Sequence, residues 1–258
     1  MTDLDKHRAL LDGQGWLQLP AELDAPLLAR LRSDLEKASE ICRTLQIRNG
    51  LGQTVDGSAH HVVLHGESFL QVLDRLPVAL IEQCFGGPFI LNSFGGVVNI
   101  RTDASYLCKM HRDVRTFSKD SRSMLNLLIM LDDFTVANGA TFLLSGSHKF
   151  PERPSEADFF RLADRATGPA GSLLLFDSNL WHAAGVNSTD MPRRALTLTF
   201  TAPFRKPQFD YPRALGYDRA ESLSEQCQQI LGYFSRVPAT LDEWYQPPER
   251  RLYRSNQG

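Results

Sequence analysis

A chain of 258 residues can bury one substantial core, and its 42% hydrophobic and 22% charged content, with charges of both signs scattered along it, excludes a disordered polymer. A formal net charge of −2 and a pI near 6.4 leave no basic face for DNA or RNA. The four cysteines, Cys42, Cys84, Cys108 and Cys227, form no CxxC pair, which argues against a zinc knuckle or a disulfide framework. With neither a signal-peptide core at the N-terminus nor a membrane-length apolar run, the expectation is a cytoplasmic protein without a nucleic-acid or membrane partner.

GWLQLP (15–20) reads as a short strand stopped by Pro20. Asp24 followed by Pro26 then supplies an N-cap with proline in the first turn, so a helix is expected to about residue 41, its apolar face carrying Leu27, Leu28, Leu31, Leu35 and Ala38. RNGLGQTVDGSAHHVV (48–63) is rich in glycine and polar residues and is expected to be a mobile loop or lid. A second helical region is expected over 67–85, interrupted at Pro77.

The middle of the chain changes character. FGGVVNIR (94–101), MLNLLIMLD (124–132), ATFLLS (140–145), SLLLFD (172–177) and ALTLTFTA (195–202) are short apolar or alternating runs separated by turns, a density of strands that suggests a sandwich or barrel. After Pro203 the pattern returns to loop and helix, with Ser222-Leu-Ser-Glu225 reading as a capping box ahead of a stripe of Cys227, Ile230, Leu231 and Phe234. No internal repeat or linker divides the chain, so one domain over 1–258 is expected, with its β core at about 94–203 and helical additions at both ends.

Within CKMHRDVR (108–115), His111 and Asp113 stand at i and i+2, so on an extended strand both project to one side while Arg112 faces away. A His-x-Asp tripeptide alone is a weak signal. Downstream, GSLLLFDSNLWHAAGVN places His182 just past an apolar strand, and eleven residues later comes Arg193. Two histidines and a carboxylate form the facial triad that holds non-haem Fe(II) and leaves positions open for a chelating co-substrate and dioxygen. An arginine beyond the metal supplies a bidentate fork for the distal carboxylate of an oxo-diacid. These are the parts of a 2-oxoglutarate-dependent oxygenase, with His111, Asp113 and His182 as both metal ligands and catalytic centre.

HRD, then NGATFLLSGSHK (138–149), then LLLFDSNLWHAAGVNSTDMPRRAL (173–196), resembles the phytanoyl-CoA dioxygenase family of Fe(II)/2-oxoglutarate oxygenases. Gly139 and Gly146-Ser147-His148 match that family's glycine-to-Gly-Ser-His turn, and GWLQLP followed by a helix resembles its start. The resemblance implies a mainly β fold with flanking helices around a double-stranded β-helix, a cupin-like jelly-roll. It also implies a triad at His111, Asp113 and His182, and a 2-oxoglutarate arginine at Arg193. The implied reaction is oxidative decarboxylation of 2-oxoglutarate by O2, giving succinate and CO2 and oxidising a C–H bond of a small molecule.

Strand parity separates Arg193 from its neighbour on other grounds. Arg193 shares a face with Ala195, Thr197, Thr199 and Thr201, a set suited to a pocket, whereas Arg194 shares one with Leu196, Leu198 and Phe200. Asn126 and Asn99 each have two readings, a donor to 2-oxoglutarate or a core amide bonded to backbone. His60, His61 and His65 fit solvent or pocket-rim positions, and His148 fits a structural turn. Arg101, Lys109, Arg115, Lys119 and Arg122 could grip an anionic substrate or belong to a solvated loop, and Phe117 could line the mouth or the core. A rival reading is a cupin-like metal-binding jelly-roll, an isomerase or a ligand sensor, for which Arg193 would have no diacid to hold. The segments 44–66, 114–123 and 203–220, which would choose the substrate, carry no pattern that names it.

Overall fold

A computed structural model describes residues 2–51, 57–101, 108–114, 116–118 and 121–257. Its first element is a helix, α1 (Asp3–Gln14), begun by a reciprocal capping box between Thr2 and Asp5 and ended by Gly15 in the left-handed conformation. β1 (Trp16–Leu19) follows, then α2 (Ala25–Arg48). Asp24 caps α2 by accepting from the Leu27 N–H at 2.7 Å. The helix runs past 41 to Arg48: Leu27, Leu28, Leu31, Leu35, Ala38 and Cys42 are buried, whereas Leu45 and Ile47 of its last turns are exposed. Each of its leucines contributes roughly 1.5–3 kcal/mol on burial.

Part of the stretch expected to be a loop is instead ordered structure. β2 (Ser58–His60) pairs with the edge of β3 (Ile90–Asn99), and a 3-10 turn at Val62–His65 buries Val62 and Val63; residues 52–56 lie outside the described residues. The helical region after it divides at Pro77 into α3 (Glu67–Leu73) and α4 (Val78–Phe85).

Two antiparallel sheets carry the core. The larger has the order β1-β7-β4-β9-β3-β2, where β4 is Leu125–Met130, β7 Leu173–Asp177 and β9 Arg193–Thr201. The smaller has the order β6-β5-β8, from Thr141–Leu143 (β5), Asp164–Ala166 (β6) and His182–Ala183 (β8). A short helix, α5 (Glu156–Leu162), lies between β5 and β6 in the chain. The apolar runs in β4 and β7 are continuous because both faces of the large sheet are covered. Leu125, Leu127, Ile129, Leu173, Leu175, Leu196 and Leu198 belong to one cluster with the buried face of α2. Leu128, Met130, Leu174, Phe176 and Ala195 belong to another, with Leu143 and Ala166 of the smaller sheet. The fold is the expected antiparallel jelly-roll architecture with flanking helices.

Beyond β9 come α6 (Tyr211–Leu215), α7 (Glu225–Leu231) and α8 (Leu241–Trp244). The cap of α7 falls two residues later than expected. Ser224, not Ser222, accepts from the third helical N–H, that of Cys227, at 3.0 Å; residues up to Ser222 instead form a 3-10 turn. Among the described residues no helix is long and apolar enough to cross a membrane.

Candidate metal centre

The HRD segment is fastened as an extra rung of the smaller sheet. His111 and His182 exchange backbone hydrogen bonds, N–H to O at 2.9 and 3.0 Å, and the Asp113 N–H donates to the Ser178 carbonyl at 3.2 Å. Strand geometry then sends the side chains of His111 and Asp113 to the same side, facing His182. Nε2 of His111 lies 3.6 Å from Oδ1 of Asp113, and Nε2 of His182 lies 3.7 Å from Oδ2. One ligand atom from each of the three lies within 4.8 Å of the others.

The tautomers suit a metal. Nδ1 of His111 meets the Lys109 carbonyl at 2.8 Å and Nδ1 of His182 meets that of Leu180 at 3.0 Å. A carbonyl only accepts, so each Nδ1 carries the hydrogen and each Nε2 keeps a lone pair aimed at the carboxylate. Burial pushes the His182 imidazole below its ordinary pKa, more than Asp113 raises it, which favours the neutral form a metal needs. These three residues fit a divalent cation of the imidazole and carboxylate class.

Arg112 faces away, as alternation requires, and has work there. Its guanidinium donates to the carbonyls of Ser147, Phe150 and Pro151 and lies over the Trp181 ring at 4.7 Å. The Gly146-Ser147-His148 turn is therefore the surface onto which the HRD strand is pinned. Gly139, at the other end of that motif, sits at φ +82° against the Gly185 carbonyl, where any Cβ would collide. His148 packs beside Gly15 and reaches the Asp12 carbonyl at 3.3 Å, away from the triad.

A cavity of about 380 Å³ opens on the triad, against the inner face of the large sheet and its edge strand β2. Arg193, Thr197 and Thr199 of β9 line it, together with Asn126, Thr141, His60, His61 and Gln208. Arg193 is 2% exposed, and its guanidinium lies over the Phe134 ring at 4.2 Å. Its Nε and Nη1 have no hydrogen-bond partner among the described residues. Burial lowers its pKa to about 10, which leaves it charged at neutral pH, and it forms no ion pair among the described residues. Arg194, on the opposite face, is paired to Asp132 at 3.0 Å and Glu36 at 2.9 Å.

The two asparagines part company. Asn126 lines the cavity and donates to Oδ2 of Asp113. Asn99 is buried at the far end of β3, donating to the Gly185 carbonyl at 3.0 Å while its own carbonyl accepts from Asn187 at 2.9 Å, so its partners are backbone and a loop amide. Of the basic group around the HRD motif, Arg101 pairs with Asp190, and Arg122 with Asp177 and Asp12, while Arg115 and Lys119 lie outside the described residues. Phe117 lies under the Arg112 guanidinium at 5.5 Å. Sequence reasoning missed Thr141 and Phe134 as neighbours of the site. It also missed the fixed geometry of His61, which adopts φ +55°, stacks on Phe209 at 4.2 Å and meets the Tyr211 hydroxyl at 2.9 Å.

The family model described as phytanoyl-CoA dioxygenase (PhyH) matches residues 11–195. The Mycobacterium tuberculosis protein Rv1501 is 32% identical over 266 residues, covering 100% of this chain and 97% of that protein. Dioxygenase FUM3 of Gibberella moniliformis is 32% identical over 141 residues, covering 50% of this chain and 45% of its own length. Among solved structures, the epimerase SnoN in complex with Fe3+, alpha ketoglutarate and nogalamycin RO aligns with a TM-score of 0.61 at 18% identity, over 77% of this chain and 83% of that one. At that identity the likeness carries the fold.

Proposed function

From the premise that this chain belongs to the phytanoyl-CoA dioxygenase (PhyH) family, we propose that it is an Fe(II)/2-oxoglutarate-dependent oxygenase that hydroxylates a C–H bond of a small-molecule substrate. His111, Asp113 and His182 would hold the iron, and Arg193 would receive the distal carboxylate of 2-oxoglutarate. The bound iron would supply O2 activation, with 2-oxoglutarate leaving as succinate and CO2.

The observation that carries the proposal is Arg193. A buried guanidinium without a partner costs several kcal/mol if nothing ever joins it. Here it lines the same cavity as three metal-ligating atoms, and a carboxylate delivered by a ligand would satisfy two of its donors in one bidentate contact. A cupin-like metal site without a diacid co-substrate gives that cation nothing to bind.

The chain's own groups divide the remaining tasks. The two Nδ1–H bonds to backbone carbonyls fix the imidazole planes. Asn126, braced by Thr199, fixes one carboxylate oxygen of Asp113. Phe176, whose ring meets His182 edge-on at 4.8 Å, lines the cavity beside the centre and would give it an apolar wall. His60, His61 and Gln208 stand on the wall where a substrate would enter.

The test is anaerobic. Fe(II) and 2-oxoglutarate added to metal-free protein are expected to give the weak visible charge-transfer band of their chelate. His111→Ala is expected to abolish it, and Arg193→Ala to demand much more 2-oxoglutarate. A folded protein that binds metal and gives no band overturns the oxygenase assignment.

A further inference from the structure

The chain leaving β9 separates the metal cavity from a second, larger one of about 880 Å³. Gln208 lines both, its backbone N–H held by the Asn92 carbonyl at 3.2 Å, where β3 makes a register shift against β9. Phe209 lines the second cavity and stacks on His61, which lines the first. The two spaces are therefore neighbours across one short segment.

The second cavity joins aromatic rings, Tyr217 and Tyr253 among them, to three cations, Arg205, Lys206 and Arg236. Its carboxylates are already engaged with backbone: Asp210 accepts from the Arg213 N–H at 3.2 Å and Glu243 from that of Ala239 at 2.6 Å. The cations form no ion pair among the described residues. The Arg236 guanidinium lies 3.7 Å over the Tyr217 ring, and its Nε is hidden from solvent without a hydrogen-bond partner among the described residues. A guanidinium held flat on a ring, with donors to spare, matches an anion borne on a flat apolar body, because ring and cation then each meet a complementary surface.

We infer that this cavity binds an anionic group, a carboxylate, sulfonate or phosphate, attached to an aromatic or polycyclic body, and that this is the remote part of the substrate whose reacting end enters the metal cavity past Gln208. The second half of the inference rests on the oxygenase reading; the anion site does not.

Two dyes with one body test it: anilinonaphthalene sulfonate and its uncharged analogue phenylnaphthylamine, titrated by fluorescence against the metal-free protein. The sulfonate is expected to bind more tightly, and Arg236→Met to weaken it about tenfold while changing the neutral dye less than about twofold. Lys206→Gln, at an exposed position, is expected to act in the same direction more weakly. Arg193→Met is expected to leave the sulfonate unaffected. Mn(II) placed at the triad is expected to broaden the bound dye's proton resonances, which it would not do from a site on another face. Equal affinity for the two dyes, an unchanged sulfonate affinity in both variants, or no broadening overturns the inference. Sulfonate selectivity without a chelate band would retain the anion site and discard the oxygenase, and the band without selectivity would do the reverse.

Discussion

Asn126 donates its side-chain N–H to Oδ2 of Asp113 at 2.5 Å, and its own Oδ1 accepts from the Thr199 hydroxyl at 3.0 Å. Partners behind a metal ligand hold its orientation, and removing one typically weakens metal binding by about 10- to 100-fold. Asn126→Leu is therefore expected to loosen Fe(II) binding by about tenfold or more. Asn126→Asp, which sets a second negative charge against Asp113, would disturb it differently, through repulsion in the free site. An anaerobic metal titration reads both, and an unchanged affinity in Asn126→Leu would show that Asp113 needs no brace.

Arg193 should trade stability against function. Its burial with Nε and Nη1 unpartnered among the described residues opposes folding in the free protein, by about 1–3 kcal/mol or more for an unsatisfied charged group. The sign follows from its lowered pKa: the cost is present at every pH below about 10, where the folded side chain carries its charge, and fades only above it. Arg193→Met, which keeps the stem over Phe134 without the charge, is expected to melt no lower than the wild type while its 2-oxoglutarate requirement rises by about tenfold or more. A large drop in melting temperature would mean that the guanidinium supports the fold instead.

How far the sequence reveals this site depends on the range of each relationship. Alternation acts over two residues, so the common side of His111 and Asp113, the outward turn of Arg112 and the opposite faces of Arg193 and Arg194 are all legible along a single strand. The Asp24 cap and the Leu27 to Ala38 stripe are equally local. Asn126 and Thr199 are different, because their hydrogen bond exists only once β4 and β9 pair in one register, and no local pattern specifies it. β2 and β8, three and two residues long, lie below the length at which periodicity carries information, and only their partners make them strands. α1 buries Leu11 alone, too little apolar spacing to announce a helix despite its capping box. The second cavity is assembled from segments between 90 and 257 and has no counterpart in any stretch of sequence.

The grip of Arg112 on the turn after β5 gives a third expectation. Its donors hold three carbonyls and its plane lies over Trp181, a geometry lysine cannot reproduce. Arg112→Lys is expected to cost about 2 kcal/mol, since hydrogen bonds to a charged donor are worth roughly 1.5–3 kcal/mol each and an ammonium recovers only part of the set. Because the HRD strand is pinned there, Fe(II) affinity should fall with it. Chemical denaturation followed by metal titration separates the two effects, and a variant with wild-type values in both would remove Arg112 from the support of the site.

Metal binding itself should appear as stability. Oδ1 and Oδ2 of Asp113 lie 3.6 and 3.7 Å from Nε2 of His111 and Nε2 of His182. A divalent cation joins all three, and ligand binding to the folded state alone stabilises it by about 2.7 kcal/mol when free metal is a hundredfold above its dissociation constant. For a chain of this size that corresponds to about 5–10 °C in melting temperature. Mn(II), which air does not oxidise on the timescale of a melt, is expected to produce the rise, and a chelator to reverse it. His111→Ala and Asp113→Ala are expected to abolish the response, whereas His148→Ala, in the Gly146-Ser147-His148 turn away from the triad, should keep it even if its own baseline is lower. A rise that survives both triad variants would place the cation elsewhere on the protein.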